Sequence, residues 1–220
     1  MPRPRRLRPF THRAFACVLI GTVCYSLWIA QPWFNPAMPL WRSYVSELAA
    51  INQPGNAIVR VGDTLAAICA ACAGLFGWRS RAFTRPACAM IAVFALATVL
   101  DSIFPMACAP SLSAVCAAGD EAGTLGLSHN IHTMTSAVAN MATLGLTGWW
   151  LWCHRRRPQA REAVAHLTAL THIVTALVTA GLALVHSEAA GVFQRVSLIG
   201  LIVWVLVAVS LRSESLRSRA

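Results

Sequence analysis

The stretch VFQRVSLIGLIVWVLVAVSL, Val192 to Leu211, decides the fold. It is apolar almost throughout and long enough to cross the roughly 30 Å of bilayer hydrocarbon at about 1.5 Å per residue. Five more stretches of similar character lie upstream: Ala14 to Ala30, Ile58 to Trp78, Ala87 to Phe104, His129 to Cys153 and Ala163 to His186. The 220 residues are 57% hydrophobic and only 12% charged, with mean hydropathy +0.59, a balance that one soluble core cannot hide. The reading is an all-α, polytopic membrane bundle of six transmembrane helices over residues 14–211. A basic segment, 1–13, precedes it and a basic tail, 212–220, follows it.

A net charge of +10 invites a nucleic-acid partner, but the arrangement of the charge argues for topology instead. Fifteen of the eighteen basic residues, all arginine, fall in four groups that alternating helices put on one side. They are Arg3 to Arg13, Arg79 to Arg85, Arg155 to Arg161 and Arg212 to Arg219, with only Arg42, Arg60 and Arg195 at the opposite ends. The positive-inside rule then predicts both termini in the cytoplasm of a bacterial cell, with the chain a multi-pass protein of the inner membrane and no nucleic acid among its partners. Trp28-Ile29-Ala30-Gln31-Pro32-Trp33 lacks the small residues of a cleavage site, so the first apolar stretch reads as a retained helix.

Between helices one and two, Ser43 to Leu48 predicts a short interfacial helix that ends before the Pro54-Gly55 turn. Pro86 suits the first turn of helix three. Pro105 to Leu127, rich in glycine and proline, reads as an irregular outer loop. It holds Cys108 and Cys116, for which an oxidising exterior favours a disulfide over two free thiols. Cys69-x-x-Cys72 lies in mid-membrane, where thiolate chemistry has no access, and reads as packing.

Ionisable residues inside a membrane are expensive, so their clustering marks a functional site. At about 100° per residue, His129, His132, Thr133, Ser136 and Asn140 share one stripe of helix four. Thr168, Thr171, His172, Thr175, Thr179 and His186 share one on helix five. Arg60, Asp63 and Thr64 form a face of helix two, where Arg60 and Asp63 either neutralise each other or act separately. Asp101, about one turn inside the outer end of helix three, needs a partner, and His129, His132, Arg60 or a metal are the candidates. Asp63, Asp101, His129 and His132 are the catalytic candidates. Arg60, whose planar fork suits phosphate or carboxylate, leads the substrate-binding candidates with Ser46, Glu47 and Ser128. Asp101, His129, His132 and His186 are ligands of a kind that zinc accepts, set against the alternative of structural, hydrogen-bonded histidines. No nucleotide loop, nucleophile elbow or kinase signature is present, and the absence of lysine excludes Schiff-base chemistry.

Ser43-Tyr44-Val45-Ser46-Glu47-Leu48, Asp101-Ser102-Ile103-Phe104-Pro105 and Ser128-His129-Asn130-Ile131-His132 resemble the motifs of the bacterial six-helix membrane family called domain of unknown function 998. That resemblance implies an integral membrane protein and no particular reaction. A more distant similarity, to the alkaline ceramidase and progestin-receptor-like membrane hydrolases, implies serine, aspartate and histidines around zinc, with Ser46 or Ser128, Asp101, His129 and His132 in those places. Those hydrolases have seven helices and His-x-x-x-His where this chain has six and His-x-x-His. Three functions follow as expectations. The first is a membrane-embedded enzyme, with or without zinc, acting on a membrane lipid or amphipathic small molecule at the outer leaflet. The second is a non-catalytic scaffold or lipid-binding accessory protein, its protein partner unspecified. The third is a haem or proton-transfer subunit.

Overall fold

The computed structural model describes residues 12–155, 160–185 and 187–217, and these are helical with no strand among them. In chain order the α-helices are α1 (His12–Tyr25), α2 (Gln31–Phe34), α3 (Asn56–Arg79), α4 (Arg85–Ile103), α5 (Ala114–Glu121), α6 (Leu127–Cys153), α7 (Ala160–Leu184) and α8 (Ala190–Arg217). Tight helical turns at Leu27–Ala30, Ser46–Ala49 and Pro110–Leu112 punctuate the connections.

Five segments are long and apolar enough to cross a membrane: His12–Phe34, Asn56–Arg79, Arg85–Ile103, Glu162–Leu184 and Ala190–Leu211. The expectation of six is corrected at α6. That helix has 27 residues, about 40 Å at the usual rise, so length is not the obstacle. Its first half carries His129, Asn130, His132, Thr133, Thr135, Ser136 and Asn140, which lower its hydropathy below that of the other five. The loop expected to be irregular is corrected too, because α5 forms within it. Ser113 caps α5 by accepting the Cys116 N–H at 3.3 Å, and Cys116 is disulfide-bonded to Cys108. The interfacial helix expected at Ser43 to Leu48 is reduced to the Ser46–Ala49 turn.

Sequence punctuation works as local chemistry requires. Gly55 begins α3 at φ 74°, a left-handed conformation in which a Cβ would also meet Phe34 Cδ2 at 2.4 Å. Thr84 caps α4 by accepting the Ala87 N–H at 3.4 Å, with Pro86 in the first turn where no donor is needed.

Neighbours in the chain pack against each other: α1 on α3, α3 on α4, α4 on α6, and α7 on α8. The α7–α8 hairpin meets the other four long helices through slimmer contacts, α6 with α7 and α1 with α8, which close the ring. Small residues set the close approaches, as they do where lipid removes the hydrophobic drive between helices. A Cβ on Gly62 would fall 2.9 Å from the Cys24 carbonyl oxygen of α1, and one on Gly200 would fall 3.0 Å from the His172 nitrogen of α7. The two ends of the bundle differ. One, the long-loop end, carries residues 35–55 and 104–126, and the other carries Arg79, Arg81 and Arg85.

Candidate functional site

The centre of the ring is hollow. A polar cavity of about 90 Å³ lies toward the long-loop end, lined by residues of all six long helices and of the turn before α3. α3 contributes Asp63, α4 contributes Thr98 and Asp101, and α6 contributes Ser136, Asn140 and Thr143. Tyr25, Ser46, Thr179, Gln194 and Ser197 complete the polar lining. Two carboxyl groups from adjacent helices therefore face one interior space.

Asp101 is held from α6. Its Oδ1 accepts from the Thr135 hydroxyl at 2.5 Å and its Oδ2 from the Ser136 hydroxyl at 2.8 Å. His132, fully packed, places Nδ1 3.1 Å from the Asp101 carbonyl oxygen and 3.2 Å from that of Phe104. Carbonyl oxygens only accept, so Nδ1 carries the hydrogen and Nε2 of the neutral ring is bare. Nε2 lies 3.5 Å from Asp101 Oδ2 and has no other hydrogen-bond partner. Two bare acceptors facing each other would repel, whereas one proton, on imidazole or on carboxyl, satisfies both.

A polar cap closes the cavity at the long-loop end. Glu47 is 2% exposed and accepts from the Ser111 N–H at 2.9 Å, the Ser111 hydroxyl and the Tyr44 N–H at 3.2 Å. Burial pushes its carboxyl above the usual carboxylate range, while the Ser111 and Tyr44 donors and the Arg195 charge hold it back in part. Arg195 donates to the carbonyl oxygens of Leu40, Ser43 and Gly191 and to Gln31 Oε1, at 2.6 to 3.1 Å. The Val45 N–H donates to Gln194 Oε1 at 2.6 Å. These bonds tie the first long loop, the disulfide-closed loop and α8 into one piece above the cavity.

The expected site residues divide. Asp63, Asp101, Ser136, Asn140, Thr179 and Ser46 meet at the cavity, and His132 reaches it through Asp101. Arg60 does not pair with Asp63 among the described residues; its Nε donates to the Ser102 carbonyl oxygen of α4 at 2.9 Å. Ser128 is exposed and donates to the Pro105 carbonyl oxygen, fixing the start of α6. Glu47 belongs to the cap, with no contact to the two aspartates.

His129 turns away from His132. Its Nδ1 accepts the Ala107 N–H at 3.1 Å, so Nε2 carries hydrogen and donates to Asp120 Oδ1 at 2.9 Å. Both ring nitrogens are thus spent on residues that flank the disulfide-closed loop. Of the four zinc ligands expected, only Asp101 and His132 meet, His186 lies outside the described residues, and among those described no three His, Cys, Asp or Glu side chains gather as a metal site. His172 is buried against α8, its Nδ1 2.9 Å from the Ser197 hydroxyl oxygen.

Sequence reasoning missed Thr135, Gln194, Ser197 and Tyr25. Thr135 sits three residues from His132, a spacing that was there to be used. Gln194 and Ser197 are likewise three residues apart on α8, and Tyr25 is the last residue of α1.

The chain belongs to the family described as a protein of unknown function, DUF998, whose model matches residues 18–211. No curated protein and no solved structure matches it.

Proposed function

We propose that this DUF998 member is a membrane-embedded enzyme that performs acid–base chemistry on a lipid or other amphipathic substrate inside the polar cavity. One observation carries the reading: Asp63 and Asp101 face the same interior space, and Asp101 shares its environment with a histidine nitrogen that has no other partner. Buried ionisable groups converging on a cavity favour function over packing. The Asp101–His132 pair gives the proton it shares to the leaving group, and Asp63 across the cavity takes one from an attacking hydroxyl or water. Ser136 and Thr135 orient Asp101 for that exchange.

The topology proposed with it has α6 as a sixth span, its polar stripe turned to the cavity and its apolar residues outward. Arg13, Arg79, Arg81, Arg85 and Arg155 then lie in the cytoplasm of a bacterial cell, with both termini. The cavity then lies in the outer-leaflet half of the bundle, beneath its polar cap.

Purified protein incubated with a total bacterial lipid extract, followed by mass spectrometry of the lipids, tests the reading. The expected result is one lipid class consumed by the wild type and spared by Asp63→Asn and Asp101→Asn. A wild type that leaves every class unchanged contradicts the enzymatic reading and favours a scaffold, as does consumption that survives both substitutions.

A further inference from the structure

Below the polar cavity, toward the Arg79 end, lies a second chamber of about 230 Å³ with an almost wholly apolar lining. It is walled by α1, α3, α4, α6 and α8, and its width comes from small residues such as Gly21, Ala66, Ala70 and Ala142. Toward the Arg79 end it is lined by Trp149, whose indole nitrogen donates to the Thr84 hydroxyl at 3.0 Å. The two spaces are continuous in their walls: Tyr25, Thr143 and Leu201 line both.

An apolar chamber offers water few partners, and left empty it forfeits the dispersion contacts of its lining. Hydrocarbon is the filling that suits it. A molecule whose polar part sits against Asp63 and Asp101 and whose apolar part continues past Tyr25 would satisfy both spaces at once. The volume is below the ~300–1,000 Å³ common for drug-sized ligands, which suits one chain and not two. The contact between α1 and α8, both of which wall the chamber, is slim.

We propose that the chamber binds the single hydrocarbon chain of the substrate, so that the enzyme acts on a single-chain amphiphile whose polar head lies at the two aspartates. This rests on the acid–base reading of the polar cavity for its choice of head position, but the chain site is tested separately.

The test uses two photoactivatable probes with the diazirine at the same depth, a palmitoyl lysophospholipid and the corresponding dipalmitoyl phospholipid. Each is added to the full-length protein in detergent, and labelled peptides are mapped. The lysophospholipid is expected to label chamber residues of α1, α3 or α6. Ala142→Leu and, as a second variant at a different wall, Ala70→Leu should cut that labelling several-fold while each protein keeps its wild-type melting temperature; a variant that melts early is replaced as the readout by competition with unlabelled lysophospholipid. Equal labelling by the two-chain probe would mark a generic bilayer filler and overturn the proposal, as would labelling confined to the outer faces of the helices. Chamber labelling without any dependence of lipid turnover on Asp63 and Asp101 would instead overturn the acid–base reading alone.

Discussion

Asp101 shows what one residue tells about the whole. A carboxyl near the end of an apolar helix needs partners, and Thr135, Ser136 and His132 supply them from α6. If Asp101 and His132 share one proton, their substitutions are coupled. Stability of Asp101→Asn, His132→Ala and the double variant, measured by chemical unfolding in micelles, should depart from additivity by about 0.5–3 kcal/mol. Additive effects would mean that the two side chains do not interact. Glu47 gives a prediction in pH. Its folded-state carboxyl lies above the ordinary carboxylate range because of burial, so the native state holds its proton when the unfolded chain has released it. The stability contributed by this group is full below the ordinary value and is lost as pH rises through the raised one. Melting temperatures across that window should fall with pH in the wild type and flatten in Glu47→Gln; unchanged slopes would contradict the assignment. At this scale much of the site was legible, since the stripe through His132, Ser136 and Asn140 follows from helical period. His129 shares that stripe yet faces a different neighbour, because position on a helix says nothing of what loop lies opposite.

Among elements, the disulfide-closed segment and the α7–α8 hairpin govern how the cavity is capped and walled. Cys108 and Cys116 close a short loop that carries Ser111, the partner of Glu47, and that begins beside Ala107, the partner of His129. Replacing both cysteines with serine should cost about 2–3 kcal/mol by loop entropy, read as a fall in unfolding free energy that reductant reproduces in the wild type. A wild type indifferent to reductant would show that the bond does not constrain the loop. Gly200 lets α8 lie against the backbone of α7 near His172. Gly200→Leu should separate the hairpin and cost about 1–3 kcal/mol, measured in the same unfolding assay. The long helices were legible from hydropathy because a bilayer demands long apolar segments. α5 was not, since its start depends on a serine cap within a stretch broken by glycine and proline. The low hydropathy of α6 and its role have one source: the residues that make it a main supplier of the site are the same ones that remove it from the most apolar group.

At the scale of the molecule, the helices form a ring around two spaces that share Tyr25, Thr143 and Leu201 in their walls, polar toward the long-loop end and apolar toward the arginine-rich end. The bonds that close the polar end reach far along the chain, as from Arg195 to Gln31 and from Gln194 to Val45. No local periodicity encodes such contacts, which is why the sequence revealed the polar residues and not the cap they build. The central claim is that α3 and α6 turn their polar residues toward one another across a shared cavity. Cysteines at Asp63 and Ser136, in a background lacking Cys17, Cys24, Cys69, Cys72, Cys88 and Cys153, can be treated in native membranes with a short bifunctional thiol reagent. The account predicts a cross-link between them and none between cysteines at Val61 and Val138, which are exposed on the outside of the same two helices. A link at the outer pair with none at the inner pair would contradict it.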